Sequence, residues 1–379
     1  MPTRRLRFLG LVLGWICAAP WAHAFLTFDD GKDKVFVSST YAFGYDTNVF
    51  ARAAKQGSIT QNWSFEADYT RRAGIISVAA SANVNFGAFA GLPGQDYADP
   101  GFTLDLTKGT GRTTGSVDLT LNKVNAPDPV ANNRAIAWQY SGALALRYPI
   151  NERFFLSNSL VSGGSAYANR ILFTDLSTYS DAFNVNIVYD SKLDFSGGYT
   201  VDLDQTHDVT VLDHSVVLGA NGALWSKITG SLVLGYTLND TYYSHPHFPT
   251  GTFDAYDVQA KLDWRFAPWL SFSGSAARNL GISSTDVADD SITLGLFADM
   301  SIGKKLRLHT GVNYIPTRYL GRNSQGRRDY LFEYQASLQT ALTTHINIGV
   351  SYLFSENYSN LSFSRFIRET VSADINAKY

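Results

Sequence analysis

The sequence predicts an all-β fold: a transmembrane, antiparallel up-and-down β-barrel of about eighteen strands. Three observations predict it. Residues 371–379 alternate apolar and polar side chains without a miss and end on an aromatic, Tyr379. Segments of period two recur through the whole chain with no helical periodicity. No stretch after residue 24 approaches the roughly 18 uncharged apolar residues of a membrane helix, yet 45% of residues are hydrophobic and must face something. A closed sheet with its apolar side against lipid meets all three conditions.

The N-terminus reads as a secretory signal peptide, residues 1–24. Arg4, Arg5 and Arg7 form the basic region, residues 8–17 the apolar region, and Ala22-His23-Ala24 a small-x-small cleavage site. A lipoprotein would carry a small residue before Cys17, where Ile16 stands. At the other end, the alternating strand resembles the C-terminal signal that outer-membrane barrels present to their assembly machinery, with Tyr379 in the terminal aromatic position. Outer-membrane lipid and the barrel-assembly machinery are thus the expected partners.

Composition narrows the function classes. The leader carries three Arg and no acid, so Lys+Arg falls from 31 to 28 against 33 Asp+Glu, a mature net charge of −5. That balance excludes a nucleic-acid binder. The only cysteine, Cys17, leaves with the leader, which removes disulfides and thiolate metal ligands from consideration. No cofactor motif stands in the chain.

After a short N-terminal segment, 25–33, placed to reach the barrel mouth, the barrel occupies 34–379. Its strands are expected near 34–49, 59–70, 75–89, 100–108, 115–124, 135–148, 153–167, 177–189, 193–205, 209–224, 228–242, 253–266, 269–281, 288–302, 305–319, 327–341, 345–358 and 361–379. Tight turns such as Trp225-Ser226-Lys227 and Ala267-Pro268-Trp269 alternate with longer connections at 90–99, 125–134, 243–252 and 320–326. With the N-terminus in the periplasm, the longer loops lie outside. Most have ten residues or fewer, by rough count too short for a large inserted plug. The first and last strands are expected to pair.

The two faces follow from cost. Arg or Lys on the lipid face near the midplane costs roughly 2–4 kcal/mol, so the charge-free parity faces out. Ile292, Leu294, Leu296, Ala298 and Met300 point outward against inward Thr293, Gly295, Asp299 and Ser301, with Phe297 the inward exception. Val258, Ala260, Leu262, Trp264 and Phe266 share one side of their strand; Asp257, Gln259, Lys261, Asp263 and Arg265 share the other. Trp225, Trp264, Trp269 and Tyr148 gather at the tight turns, and Tyr236, Tyr314, Tyr319, Tyr330 and Tyr352 at the opposite ends, as two interfacial belts.

Tyr45-Asp46-Thr47-Asn48-Val49-Phe50 resembles the Tyr-Asp-Ser/Thr-Asn-Val-aromatic signature that opens members of the putative β-barrel porin type 2 family. The resemblance implies a Gram-negative outer-membrane barrel, often associated with exopolysaccharide loci. Physically, Asp46 and Asn48 fall on the inward parity, suited either to fixing the closing seam by hydrogen bonds or to touching a ligand.

Parity also gives a pore lining: Glu66, Asp68, Asp105, Arg147, Asp194, Asp202, Asp257, Lys261, Asp263, Arg265, Asp299, Arg307 and Glu333. Further inward acids are Asp46, Asp118, Asp204 and Asp374; further inward bases are Lys34, Arg328, Arg368 and Lys378. Acids outnumber bases, which predicts a weak cation preference if they also dominate the constriction. Ladders of opposite charge cancelling across strands would erase it. Phe36, Phe297 and Phe366 point inward, too scattered for an aromatic sugar track.

His207, His214, His245 and His247 lie toward the loops, but no nucleophile motif accompanies them and no third ligand stands beside His245-Pro246-His247. Three classes follow, in order: a passive pore for small polar solutes or a polysaccharide; a structural or adhesive barrel with an occluded lumen; an outer-membrane hydrolase.

Overall fold

The protein is described by a computed structural model covering residues 26–28, 32–244, 251–320 and 324–379. The leader and the His245-Pro246-His247 pair lie outside the described residues. The strands are β1 (Leu26–Phe28), β2 (Asp33–Asp46), β3 (Ser58–Arg71), β4 (Ser77–Phe89), β5 (Tyr97–Lys108), β6 (Thr114–Asp128), β7 (Asn133–Pro149), β8 (Phe154–Tyr167), β9 (Leu176–Val188) and β10 (Leu193–Gln205). They continue as β11 (Val209–Trp225), β12 (Ile228–Tyr243), β13 (Gly251–Ala267), β14 (Leu270–Ile282), β15 (Ala288–Ile302), β16 (Leu306–Tyr319), β17 (Arg328–Ala341), β18 (Ile346–Ser359) and β19 (Phe366–Lys378). Strands β2 to β19 each pair antiparallel with their neighbours in sequence, and β19 returns to β2 through Thr370↔Asp46 to Lys378↔Ser38. The result is a closed wall of eighteen strands. Closure leaves no long sheet edge, which an all-antiparallel wall of this length otherwise exposes.

Of the N-terminal segment expected near the mouth, Leu26–Phe28 forms a short strand on β2. Leu26, Thr27 and Phe28 pair with Val35, Lys34 and Asp33, taking up the piece of β2 edge that lies beyond the end of β19. Backbone pairing satisfies groups that a free segment would leave to water.

Register preserves facing all the way round. Leu234↔Val258, Ala276↔Leu294, Leu294↔Tyr314 and Tyr314↔Phe332 stay on the outer side. A slip of one residue would turn every apolar side chain into the lumen. Cross-strand aromatic pairs pin the register from outside: Tyr330 and Tyr358 at 6.3 Å, Phe332 and Phe354 at 6.3 Å, Trp264 and Phe272 at 5.5 Å. Such pairs contribute about 0.5–1.5 kcal/mol each beyond their area. Tyr319 departs from the expected belt. It lies on the inner parity, buried, with the Arg327 guanidinium 4.7 Å over its ring.

Phe297, the inward exception, is accommodated from across the ladder. It opposes Gly311, where a Cβ would come within 2.0 Å of its ring, and it stacks on His309 at 5.8 Å. His309 in turn sits 2.7 Å from Asp299. Gly311→Ala is expected to displace the Phe297 ring and cost about 1–3 kcal/mol in a lipid-refolding titration, as overpacking does elsewhere.

Candidate functional site: a charged lumen narrowed at one mouth

All thirteen candidate lining residues fall on the inner parity of their strands. Arg328 does not: it pairs with Arg318 on the outer parity at the rim, because β17 begins one residue after the inward-turned Arg327. The bases divide by height. Arg147, Lys261, Arg265 and Arg307 stand in the tight-turn half of β7, β13 and β16, where Arg147 lies 3.8 Å over the Phe155 ring. Lys378 reaches Asp68 there at 3.4 Å.

Glu66, Asp68, Asp105, Asp194, Asp263 and Asp299 share that half, and a second group of carboxylates stands in the loop half. Asp202, Asp204, Asp213 and Asp257 line one cavity of about 280 Å³, with Ser180, Ser215 and Thr237 supplying hydroxyls. Asp213 on β11 and Asp289 on β15 join the inner face beyond the expected lining. Asp213 sits between Val211 and Ser215 on an inner face that carries more valine than charge, so its strand does not stand out as a lining strand. Strict parity would have found both. Two basic residues of this half are paired with other aspartates: Arg368 grips Asp46 at 2.8 Å, and Arg327 grips Asp329 at 2.5 Å.

The six-residue motif lies at the closing seam. The expected first strand, 34–49, ends at Asp46 because the Asn48 N–H donates to the Asp46 carboxylate at 2.9 Å and turns the chain. Asn48 Nδ2 then donates to the carbonyls of Arg52 at 2.8 Å and Ile367 at 3.1 Å. Thr47 and Glu369 exchange bonds, N–H to Glu369 O at 2.9 Å and Glu369 N–H to Thr47 Oγ1 at 2.8 Å. Asp46 is 2% exposed and Asn48 fully buried. Every polar atom so placed bonds to β19 or to its own loop, which assigns these two side chains to the seam.

The opposite terminus also closes there: Val37 and Tyr379 exchange backbone bonds at 3.0 and 2.9 Å, and the Tyr379 ring stacks on His345 at 5.2 Å.

The loops do more than their lengths implied. The connection expected at 125–134 is in fact 129–132, because β6 and β7 run on to Asp128 and Asn133. The lengthened hairpin crosses the mouth. Arg327, in the loop before β17, donates to the carbonyls of Val130 at 2.8 Å and Pro129 at 3.2 Å. Around the ring those elements stand ten strand positions apart one way and eight the other. Arg134, at the base of the hairpin, donates to Asn125 O at 2.6 Å and to Val49 O at 3.4 Å, and lies 4.8 Å over the Phe89 ring.

A second closure lies beside it. Val209, Val211, Ile282 and Ala288 form a small apolar core that joins the loop ends of β11, β14 and β15. The Thr174 N–H donates to Ser284 O at 2.9 Å, and the Thr206 hydroxyl donates to Asp286. Burial lifts the Asp286 carboxyl above the ordinary carboxylate range, the Thr206 bond working the other way. Among the described residues no group of three or more His, Cys, Asp or Glu is arranged to hold a metal.

No family model matches the sequence, and no curated protein matches it. Solved structures do resemble it in fold. OccK2 (OpdF) of Pseudomonas aeruginosa in complex with glucuronate is 11% identical, with a TM-score of 0.51 over 93% of this chain and 100% of that one. OccAB2 of Acinetobacter baumannii is 10% identical, with a TM-score of 0.50 over 93% and 99%. The chain therefore shares the fold of these barrels along nearly its whole length.

Proposed function

We propose that this chain is an outer-membrane β-barrel pore through which small polar solutes pass without covalent chemistry. The observation that carries the reading is a charge-lined inner face enclosed by an apolar wall of eighteen strands, a size at which barrels leave an aqueous channel. The glucuronate complex of OccK2, a barrel of the same fold, supports a small sugar-like solute. The carboxylates of the loop half disfavour an anion of that kind here and favour neutral or cationic solutes. An association with exopolysaccharide export rests on the six-residue motif alone, as does membership of the type 2 porin family.

One observation favours the second reading, a structural or adhesive barrel: the β6–β7 hairpin, held to the far wall by Arg327. Swelling of proteoliposomes in an isosmotic pentose solution separates the two. The wild type is expected to swell above protein-free liposomes, and Arg327→Ala, which frees the hairpin tip, to swell roughly twice as fast. Background swelling by both would establish the occluded barrel.

A further inference from the structure

The wall is not sealed throughout its height. β13 pairs with β14 from Ala267↔Leu270 only as far as Gln259↔Ala277. Yet β12 stays paired with β13 up to Thr241↔Gly251, and β14 with β15 up to Ile282↔Ala288. Residues 251–258 and 278–282 are therefore two facing edges without a ladder. A shorter gap between β5 and β6, beyond Gly101↔Asn122, is bridged by Lys123, which donates to Ala98 O at 3.0 Å. The β13–β14 gap starts mid-strand.

Unpaired backbone in hydrocarbon is costly unless it borders protein or a water-filled cavity. Here both exist. Arg278, on the outer parity, binds Asp290 through two bonds of 2.9 and 2.8 Å and reaches across to donate to Tyr256 O at 3.3 Å. Behind it lies the carboxylate cavity of about 280 Å³, which touches inner-face Asp202, Asp213 and Asp257 and also outer-parity Tyr256, Arg278 and Leu280. The opening lies in the missing ladder, and the cavity borders both of its unpaired edges, at Tyr256 and Asp257 on β13 and at Arg278, Asn279 and Leu280 on β14. The apolar core of Val209, Val211, Ile282 and Ala288 stands over this chamber on the loop side.

We propose that the β13–β14 seam is a lateral passage between this chamber and the outer leaflet, used by an amphiphile. Its polar head occupies the hydroxyl- and carboxylate-lined chamber, and its apolar tail stays in lipid along Tyr256, Val258 and Leu280. Arg278 latches the seam through one bond to the facing strand. The inference rests on the outer-membrane reading and does not require conduction.

Labelling tests it, since Cys17 is the only cysteine of the chain. In a Cys17→Ser background the full chain carries Gln259→Cys at the seam, Ser180→Cys across the chamber on β9, or Asn85→Cys on β4, nine strands from β13. Each variant, folded in liposomes, reacts in turn with a dodecyl maleimide dissolved in the bilayer and with a water-soluble anionic maleimide. The lipid-to-water rate ratio is expected to be about tenfold higher at Gln259→Cys and Ser180→Cys than at Asn85→Cys, because the alkyl chain concentrates the reagent in lipid. Adding Leu280→Trp, which fills the seam, is expected to abolish the difference. Equal ratios at the three positions, or a difference that survives Leu280→Trp, would overturn the passage. Absence of solute permeation would remove the pore reading and leave these ratios unchanged.

Discussion

Asp46→Ala is expected to destabilise the folded barrel by about 3–5 kcal/mol, the usual cost of removing one partner from a buried ion pair. Asp46 accepts one forked bond from the Arg368 Nε–H, at 3.2 and 3.1 Å to its two oxygens, and one from Nη2 at 2.8 Å, with its own side chain 3% exposed. It also holds the Asn48 N–H that turns the chain into the first loop. The variant leaves Arg368 uncompensated at the seam where the barrel closes. Urea titration of the lipid-embedded protein measures the loss. Arg368→Ala combined with Asp46→Ala is expected to recover part of it, since the stranded charge is then gone; a double variant no better than Asp46→Ala would show that the turn, and not the pair, carries the effect.

Leu294→Arg is expected to cost roughly 2–4 kcal/mol if Leu294 lies near the bilayer midplane. Leu294 is 43% exposed on the outer face, midway along β15, between Ala276 and Tyr314 on the neighbouring strands. Asp299→Asn, on the opposite face of the same strand, keeps an oxygen that can accept from His309 and is expected to fold almost normally. Equal losses in a lipid-refolding titration would mean that the outer face does not meet lipid.

Why the wall was legible and the mouth was not follows from the range of the forces involved. Parity in β13 or β15 is local: each residue announces its face by its own polarity, and two faces of opposite character propagate around the ring through the registers. The meeting of first and last strands was legible for the same reason, because the alternation of residues 371–379 leaves one face to place. The reach of the β6–β7 hairpin depends instead on Arg327, distant in sequence, and on strands that continue through Ala126-Pro127-Asp128, residues that read as a loop. Tyr319 does not join the belt because it stands on the opposite parity to Tyr314 of the same strand, which alternation alone gives, and Arg327 covers its ring inside. The chamber needed both kinds of information. Asp202 and Asp257 were found by parity, whereas Asp213 was hidden among valines, and the open seam beside them is a failure of pairing between residues whose own pattern is that of ordinary strand.

The central claim is an open, passive, weakly cation-preferring pore, and the current carried by the wild-type protein in a planar bilayer under a potassium chloride gradient tests it most directly. Stepwise channels are expected, with a reversal potential displaced toward the potassium equilibrium potential, because carboxylates dominate the loop half and Arg327 and Arg368 there are each paired with an aspartate. A membrane that stays silent at protein concentrations giving full insertion would contradict the pore itself. Displacement toward the chloride potential would contradict the charge assignment, placing control of the current with Arg147, Lys261, Arg265 and Arg307 at the tight-turn end.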